Sequence, residues 1–298
     1  MYVIIGASGF LGAYFIKNIL DRNNEQSIIC THADKPNENF DSANIDWCEL
    51  YLTDFDSMDS FIEKINNVNE KINIVYLAAY HHPDKVLENK SLAWDINIVS
   101  LAYLINKIKN INTLYYTSSD VVYGQHEDSE KDYFFREDEQ LSPINEYGKQ
   151  KALAEQIVLS YGFNVVRYSF LIGKSLTFKK HFYDHIVDDL NENKSIEMLS
   201  DSLRSAISFE QASKVTLDLI EKFGNKQVGI VNIGTDEVLS KYDVALKISE
   251  LKKMDKKNIL PIKFADNNFF KEKRAQKVLL DNTKLKQLLD IHRLLLEL

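Results

Sequence analysis

The chain of 298 residues contains two cysteines, Cys30 and Cys48. That is too few for a disulfide framework and suits a reduced compartment. Basic charge is not in excess: 36 Lys and Arg stand against 44 Asp and Glu, a formal net charge of −8. A nucleic-acid binder carries a basic stripe, and none is visible, so nucleic acid is not expected as a partner. No apolar stretch approaches membrane-spanning length, and no basic n-region or cleavage site precedes the first strand. The expectation is a soluble cytoplasmic protein with no membrane partner. Apolar residues at 45% and charged residues at 27% are those of an ordinary globule, long enough for two domains or one large α/β unit.

Three of the ten glycines fall together near the start. Tyr2-Val3-Ile4-Ile5 runs directly into Gly6-Ala7-Ser8-Gly9-Phe10-Leu11-Gly12, and an amphipathic segment over 13–20 follows. This reads as strand, tight turn and helix. A helix N-terminus favours an anion through its unpaired N–H groups and its dipole, and glycine lets the phosphate come close to the backbone. The common dinucleotide fingerprint is G-x-G-x-x-G. Here the spacing is G-x-x-G-x-x-G, a variant of it.

Further strands are expected over 27–31, 47–52, 72–79, 113–118 and 164–168. Between them lie helical patterns over 55–65, 92–109 and from Pro143 to about Leu159, with Thr53 and Asp54 as cap candidates for the first. Strand and helix alternate for most of 165 residues, which implies parallel strands in a doubly wound sheet. Ligands bind such sheets beyond the carboxyl ends of the strands, where the glycine turn, Ala79-Tyr80-His81 and Ser118-Ser119 all fall. After Arg167 the pattern changes: helices over 182–191, 241–252 and 282–289 and extended pieces over 227–233 and 274–280 suggest a smaller lobe. The expected division is 1–166 and 167–298, with the segment near 205–233 returning to the large sheet.

Tyr147-Gly148-Lys149-Gln150-Lys151 puts a tyrosine and a lysine at i and i+4, on one helical face. A free tyrosine, with a pKa of about 10, is a poor acid–base group at neutral pH, and a nearby ammonium stabilises its phenolate. Ser119, at a strand end, could hydrogen-bond the oxygen on which Tyr147 acts. Alone, a Y-x-x-x-K pair is also common on solvated helices. With the glycine turn upstream it becomes a catalytic candidate.

With those motifs in place, the chain resembles the extended short-chain dehydrogenases/reductases that act on nucleotide-activated sugars, over nearly its whole length. The resemblance implies a Rossmann sheet and a smaller substrate-binding lobe. It likens Gly6, Ser8, Gly9, Phe10, Leu11 and Gly12 to the cofactor turn. It likens Leu77, Ala78 and Ala79 to the segment under the nicotinamide ribose, and Asn97 to the helix asparagine of the active-site network. Ser119, Tyr147 and Lys151 match the catalytic set, with Arg167 on the strand that follows. Asn232-Ile233-Gly234, Leu239-Ser240-Lys241-Tyr242 and the stretch 274–285 are similar to the substrate lobe of dTDP-4-dehydrorhamnose reductases. Arg204 and Arg274 stand where relatives place basic groups near a nucleotide diphosphate, a surface ion pair being the other reading.

There are departures. Many relatives end the third strand with Asp followed by Leu or Ile, the Asp holding adenine; here the pair is Tyr51-Leu52, and Tyr51 either stacks on adenine or leaves that edge to the backbone. Asp54 reads as a helix cap, and Gln211 stands where relatives often have Asp. His81 and His82 follow the fourth strand; sugar contact and plain loop are both open, loop being favoured. His181 and His185 share a helical face with no metal-ligand pattern around them, so no metal is expected. After the second strand the residues are Thr31 and His32 with Lys35 beyond, in place of the acidic residue of NAD readers, which favours NADP(H) over NAD(H). Dehydratases of the family follow the catalytic hydroxyl with Asp-Glu. Here Asp120-Val121 follows, which argues against dehydration and for reduction.

The expected activity is reduction of a 4-keto group on a nucleotide-linked sugar, with Tyr80, His81, Asp120, Val121, Arg204 and Arg274 around the substrate. A 4-epimerase using the same residues and a non-catalytic NADP-binding regulatory subunit are the alternatives. A homodimer is expected from apolar residues in excess of one face on the helices over 92–109 and 143–159, which related enzymes pair into a four-helix bundle.

Overall fold

Strands that are apolar on both faces need cover on both faces, and the chain supplies it by alternating them with amphipathic helices. The computed structural model describes residues 1–126, 132–266 and 270–298. Its first half runs β1 (Tyr2–Ile5), α1 (Phe10–Arg22), β2 (Ile28–His32), β3 (Ile45–Glu49), α2 (Phe55–Asn66), β4 (Ile72–Tyr76), α3 (Pro83–Glu88), α4 (Lys90–Trp94), α5 (Ser100–Lys107), β5 (Ile111–Ser119), β6 (Phe134–Phe135), α6 (Glu146–Ser160) and β7 (Asn164–Tyr168). The second half continues with β8 (Leu171–Ile172), α7 (Phe182–Asn191), β9 (Ile196–Leu199), β10 (Leu203–Arg204), β11 (Ile207–Ser208), α8 (Phe209–Phe223) and β12 (Ile230–Ile233). It ends with β13 (Leu239–Ser240), α9 (Lys241–Leu251), β14 (Ile259–Ile262), β15 (Lys277–Leu280) and α10 (Thr283–Leu289).

Seven strands form one sheet in the order β12-β7-β5-β4-β1-β2-β3. Every pairing in it is parallel. One face is filled by Phe15, Ile16 and Ile19 of α1 with Val215, Leu219 and Ile220 of α8. The other is filled by Met58, Phe61 and Ile65 of α2, Leu101 and Leu104 of α5, and Ala154 and Val158 of α6. The winding reverses between β1 and β4, so a crevice opens at their carboxyl ends. β12 pairs with β7 at the sheet edge, which builds this late segment into the N-terminal unit. The remaining chain makes a four-stranded sheet, β13-β10-β15-β6, and a β14–β9 pair. A separate core there joins Ile186 and Leu190 of α7 to Val244 and Ile248 of α9.

Three local differences from the sequence reading have physical causes. The helix expected over 92–109 is interrupted by a π-helical turn, Asp95–Val99, between α4 and α5. Such turns commonly mark functional positions, and here the turn carries the buried Asn97. The third strand ends at Glu49 because Leu50 to Asp54 turn into α2, whose N-cap is Asp54: its Oδ1 accepts from Asp56 N at 2.9 Å. Helix α8 was not foreseen as an element, although Ser208 and Gln211 form a capping box at its start.

Candidate active site

The glycine turn is shaped by close backbone approach. Gly6 has φ +90°, and a Cβ there would lie 2.8 Å from Ala78 N. A Cβ on Gly12 would lie 2.4 Å from the Ala7 carbonyl oxygen, so only glycine lets α1 seat against the turn. Gly9 is the extended N-cap of α1, and no side chain caps it. Thr31 is buried and its Oγ1 accepts from Gly6 N at 2.9 Å, which ties the end of β2 to the turn.

The turn forms one wall of a cleft of about 860 Å³. Ser8, Gly9, Phe10 and Leu11 line it beside Leu77, Ala78 and Ala79. The N–H groups of Leu77 and Ala78 both donate to Ile5 O, at 2.8 and 3.0 Å. Tyr51 and Leu52 lie at another part of the wall; Tyr51 is exposed and its hydroxyl donates to Glu49 Oε1 at 2.6 Å. His32 also lines the cleft, and its Nδ1 is buried with no partner among the described residues. Lys35 is not part of the lining; its ammonium lies 4.2 Å from the Phe178 ring centroid. The close backbone approach at Gly6 and Gly12, the uncapped helix start and the orphaned His32 nitrogen fit a dinucleotide.

Ser119, Tyr147 and Lys151 reach the same cleft from β5 and α6. The start of α6 is fixed by Asn145, whose Oδ1 accepts from Gly148 N at 2.8 Å. Lys151 Nζ donates to Tyr116 Oη at 3.0 Å and to the Thr117 carbonyl at 2.7 Å, and lies 5.8 Å from the Tyr147 ring centroid. Burial pushes Lys151 from its ordinary value of 10.5 down to about 7, against the pull of Glu155. Burial also drives the Tyr147 hydroxyl well up, and the charge of Asp120 adds in the same direction. Desolvation, rather than the lysine, therefore dominates at Tyr147, and the phenol keeps its proton at neutral pH.

Asn97 does not line the cleft. Its Oδ1 accepts from Tyr80 N at 2.8 Å, and its Nδ2 donates to Tyr80 O at 3.2 Å and to Gln150 Oε1 at 2.8 Å. It thereby ties the loop carrying Tyr80 and His81, which do line the cleft, to α6. Asp120 and Val121 line it next to Ser119.

The two arginines differ. Arg204 has Nε 3.4 Å from Asp120 Oδ2, Nη1 on the Leu203 and Gln276 carbonyls at 2.7 and 2.9 Å, and Nη2 on Ala275 O at 2.6 Å. All its donor nitrogens are engaged within the chain. Arg274 pairs through Nη2 with Asp84 Oδ1 at 3.2 Å and keeps a buried Nη1 with no partner among the described residues. Two further residues, named from the sequence without a place in the site, also line the cleft. Lys241, first residue of α9, has its ammonium 5.5 Å from the Phe182 ring centroid and 5.8 Å from those of Phe170 and Phe270. His181 sits between Phe10 and Phe209, with Nδ1 buried and unpartnered among the described residues. Lys241 stood in the stretch likened to the substrate lobe, directly after the cap Ser240, and His181 was weighed only, with His185, against a metal site. Among the described residues, no group of three His, Cys, Asp or Glu could hold a metal. Nor is any helix among them long and apolar enough to cross a membrane.

A parallel sheet with a glycine turn at its winding reversal, and a serine, tyrosine and lysine around one cleft, is the arrangement of an extended short-chain dehydrogenase/reductase of the NAD-dependent epimerase/dehydratase superfamily. Within it, the chain belongs to the RmlD substrate binding domain family, whose profile matches residues 1–294. The dTDP-D-glucose 4,6-dehydratase of Dictyostelium discoideum is 26% identical over 272 residues, covering 83% of this chain and 61% of that protein, less than two thirds of its length. The dTDP-4-dehydrorhamnose reductase of Aggregatibacter actinomycetemcomitans is 24% identical over 254 residues, 83% of this chain and 77% of that one. The methionine adenosyltransferase 2 subunit beta of Pongo abelii is 25% identical over 292 residues, 96% and 81% of the two chains. Among solved structures, a hypothetical dTDP-4-dehydrorhamnose reductase from Sulfolobus tokodaii shares the fold, with a TM-score of 0.79, 24% identity and coverage of 100% and 97%. So does a dTDP-4-dehydrorhamnose reductase from Bacillus anthracis in complex with NADP, with a TM-score of 0.74, 20% identity and coverage of 96% and 92%.

Proposed function

We propose that this chain is an NAD(P)-dependent oxidoreductase that reduces the 4-keto group of a nucleotide-linked sugar. The observation that carries the reading is the convergence of Ser119, Tyr147 and Lys151 on the cleft that the glycine turn opens into, with Tyr147 in its protonated form. A bound nicotinamide would supply the hydride. The turn from Gly6 to Gly12 and the start of α1 would hold its pyrophosphate, Lys151 its ribose, and Leu77, Ala78 and Ala79 would form the wall beneath. Tyr51 and Leu52 would border the adenine. His32, which lines the cleft and keeps a buried Nδ1 unpartnered among the described residues, favours NADP(H), whereas Lys35 lies outside the lining; Thr31 serves the turn itself.

Tyr147 would give its proton to the carbonyl oxygen as that oxygen gains charge, and Ser119 would hydrogen-bond the same oxygen. The Tyr80–His81 loop, Asp120 and Val121 would flank the sugar. Arg274, with one donor nitrogen unpartnered among the described residues, suits a diphosphate better than Arg204, whose fork is engaged. Val121 cannot exchange a proton, which disfavours water elimination. The epimerase reading keeps some support, because Asp120 is bonded locally to Ser119 and Ser169 and so gives no mark particular to a reductase.

The test supplies a nucleotide-4-keto-6-deoxysugar with NADPH and follows the reduced-nicotinamide absorbance. Stoichiometric loss of NADPH supports the reductase. Interconversion of 4-epimers without net consumption replaces it with the epimerase. Cofactor binding without turnover of any nucleotide sugar replaces it with a binding subunit. Equal dissociation constants for NADH and NADPH would refute the cofactor preference.

A further inference from the structure

Ser119 has one proton, and the structure commits it to Asp120, its neighbour on the cleft wall. Its Oγ donates to Asp120 Oδ1 at 3.1 Å and accepts from Val121 N at 3.4 Å. A hydroxyl so bonded offers the cleft a lone pair. A ketone oxygen also offers only lone pairs, so the two cannot bond; an alcohol, which carries a proton, can. With Asp120 ionised, Ser119 is therefore arranged for the alcohol and not for the ketone.

Asp120 is 5% exposed. Its other oxygen, Oδ2, accepts from Ser169 Oγ at 3.2 Å and faces Arg204 Nε at 3.4 Å. Arg204 is anchored on three main-chain carbonyls, so it stays in place whatever the charge on Asp120. Among the described residues, the charged and titratable groups coupled to Asp120 are Arg204 from β10 and Tyr147 from α6; Lys241 of α9 is coupled in turn to Arg204, and Lys151 of α6 lies 5.8 Å from the Tyr147 ring centroid. Burial holds the Asp120 carboxyl above its usual range, against Arg204 and the hydroxyls of Ser119 and Ser169. Two donors converge on Oδ2, so an added proton belongs on Oδ1, toward Ser119. The hydrogen bond then reverses: Asp120 donates, Ser119 Oγ accepts, and the Ser119 proton turns to the cleft.

We propose that Asp120 is a positioning residue that sets the direction of the Ser119 hydroxyl: protonated, it makes Ser119 a donor to a ketone, and ionised, an acceptor for an alcohol. The proton comes from solvent and returns to it, and no covalent bond to the substrate changes in this step. The proposal rests on the reading above in one respect, that Ser119 contacts the reacting oxygen.

Asp120→Asn separates the states. Arg204 and Ser169 draw the amide oxygen to the Oδ2 position, leaving the NH₂ to donate to Ser119, a fixed mimic of the protonated acid. In the wild type, kcat for reduction should fall about tenfold per pH unit once Asp120 ionises. In Asp120→Asn that limb should vanish. Ser119→Ala should also lose it, at a lower plateau, because Asp120 acts through Ser119; it decides the matter should Asp120→Asn fail to fold. A wild-type limb persisting in either folded variant overturns the proposal. A second readout needs no substrate, so it survives failure of the nucleotide-sugar assignment. Infrared titration of the buried carboxyl should move to higher pH in Ser119→Ala, which removes a donor to the ionised form. An unmoved titration overturns the proposal even where NADPH is not consumed.

Discussion

Tyr147 holds its proton because its surroundings penalise a phenolate more than any nearby cation rewards it. Burial is the larger cause and the charge of Asp120 the smaller. That favours a proton donor, the role ketone reduction needs. Tyr147→Phe should fold and bind cofactor, shown by an unchanged cofactor-induced rise in Tm, yet lose at least about a hundredfold in turnover, the usual worth of a positioned acid. Turnover near wild type would remove Tyr147 from the mechanism. Lys151 gives a stability prediction. Its pKa is about 7 in the fold against 10.5 ordinarily. Between those values the unfolded chain binds a proton that the folded one does not, so stability rises with pH. Below the lower value the full penalty applies, and above the upper it is gone. Lys151→Met removes the penalty but leaves Tyr116 Oη and the Thr117 carbonyl without their donor, an effect independent of this ionisation. The difference in Tm, variant minus wild type, should therefore be larger near about pH 6 than near about pH 10. A difference that does not change with pH would refute the buried, readily neutralised lysine.

At the scale of elements, α6 must present Tyr147 and Lys151 at a fixed height over β5, and a buried ion pair fixes it. Glu155 of α6 accepts from Arg167 of β7 through both oxygens, at 2.9 and 2.6 Å, and also from Ser118 of β5. Arg167 Nη1 donates to Tyr123 Oη at 2.7 Å, which in turn donates to Asn232 of β12 at 2.8 Å. Glu155→Ala leaves an uncompensated guanidinium at 1% exposure and should cost about 3–5 kcal/mol in denaturant unfolding. Glu155→Met with Arg167→Met should recover much of that, because no unpaired charge remains; no recovery would mean the pair contributes more than mutual neutralisation. The elements that line the cleft were legible because their signals are short-range: three glycines in seven residues, a tyrosine and lysine four apart, a serine at a strand end. What was not legible depends on distant partners. The π-helical turn carries Asn97, whose amide meets Gln150, 53 positions on. Arg204 read as either a phosphate ligand or a surface ion pair, because two of its three main-chain acceptors lie 71 and 72 residues away, beyond any local pattern. The two-residue strands β8, β10, β11 and β13 owe their form to their partners rather than to propensity. Helix α8 did carry a local signal in its capping box, and the surrounding reading of a returning segment passed over it.

For the molecule as a whole, the open question is what covers the apolar residues left outside. Trp94 on α4 is 45% exposed, and Leu153 and Tyr161, on and just beyond α6, are 40% and 46% exposed. Single exposed apolar residues are ordinary. These stand on the helices whose apolar excess pointed to pairing, and removing such side chains from water contributes about 25 cal/mol per Å². A stable interface buries about 1,600 Å² in total, more than these three residues supply. A homodimer must therefore enlist the neighbouring surface of α5 and α6, with the apolar residues as its centre and polar residues as its rim. Light scattering at micromolar concentration should give the dimer mass. Trp94→Glu combined with Leu153→Glu should weaken association by at least about tenfold, since a central anchor typically contributes more than 1 kcal/mol. Both substitutions lie on the solvent side of their helices, so Tm in the monomeric range should hold. A wild type that is monomeric throughout the micromolar range would sink the prediction. A double variant that dimerises as well as the wild type would move the interface to another face.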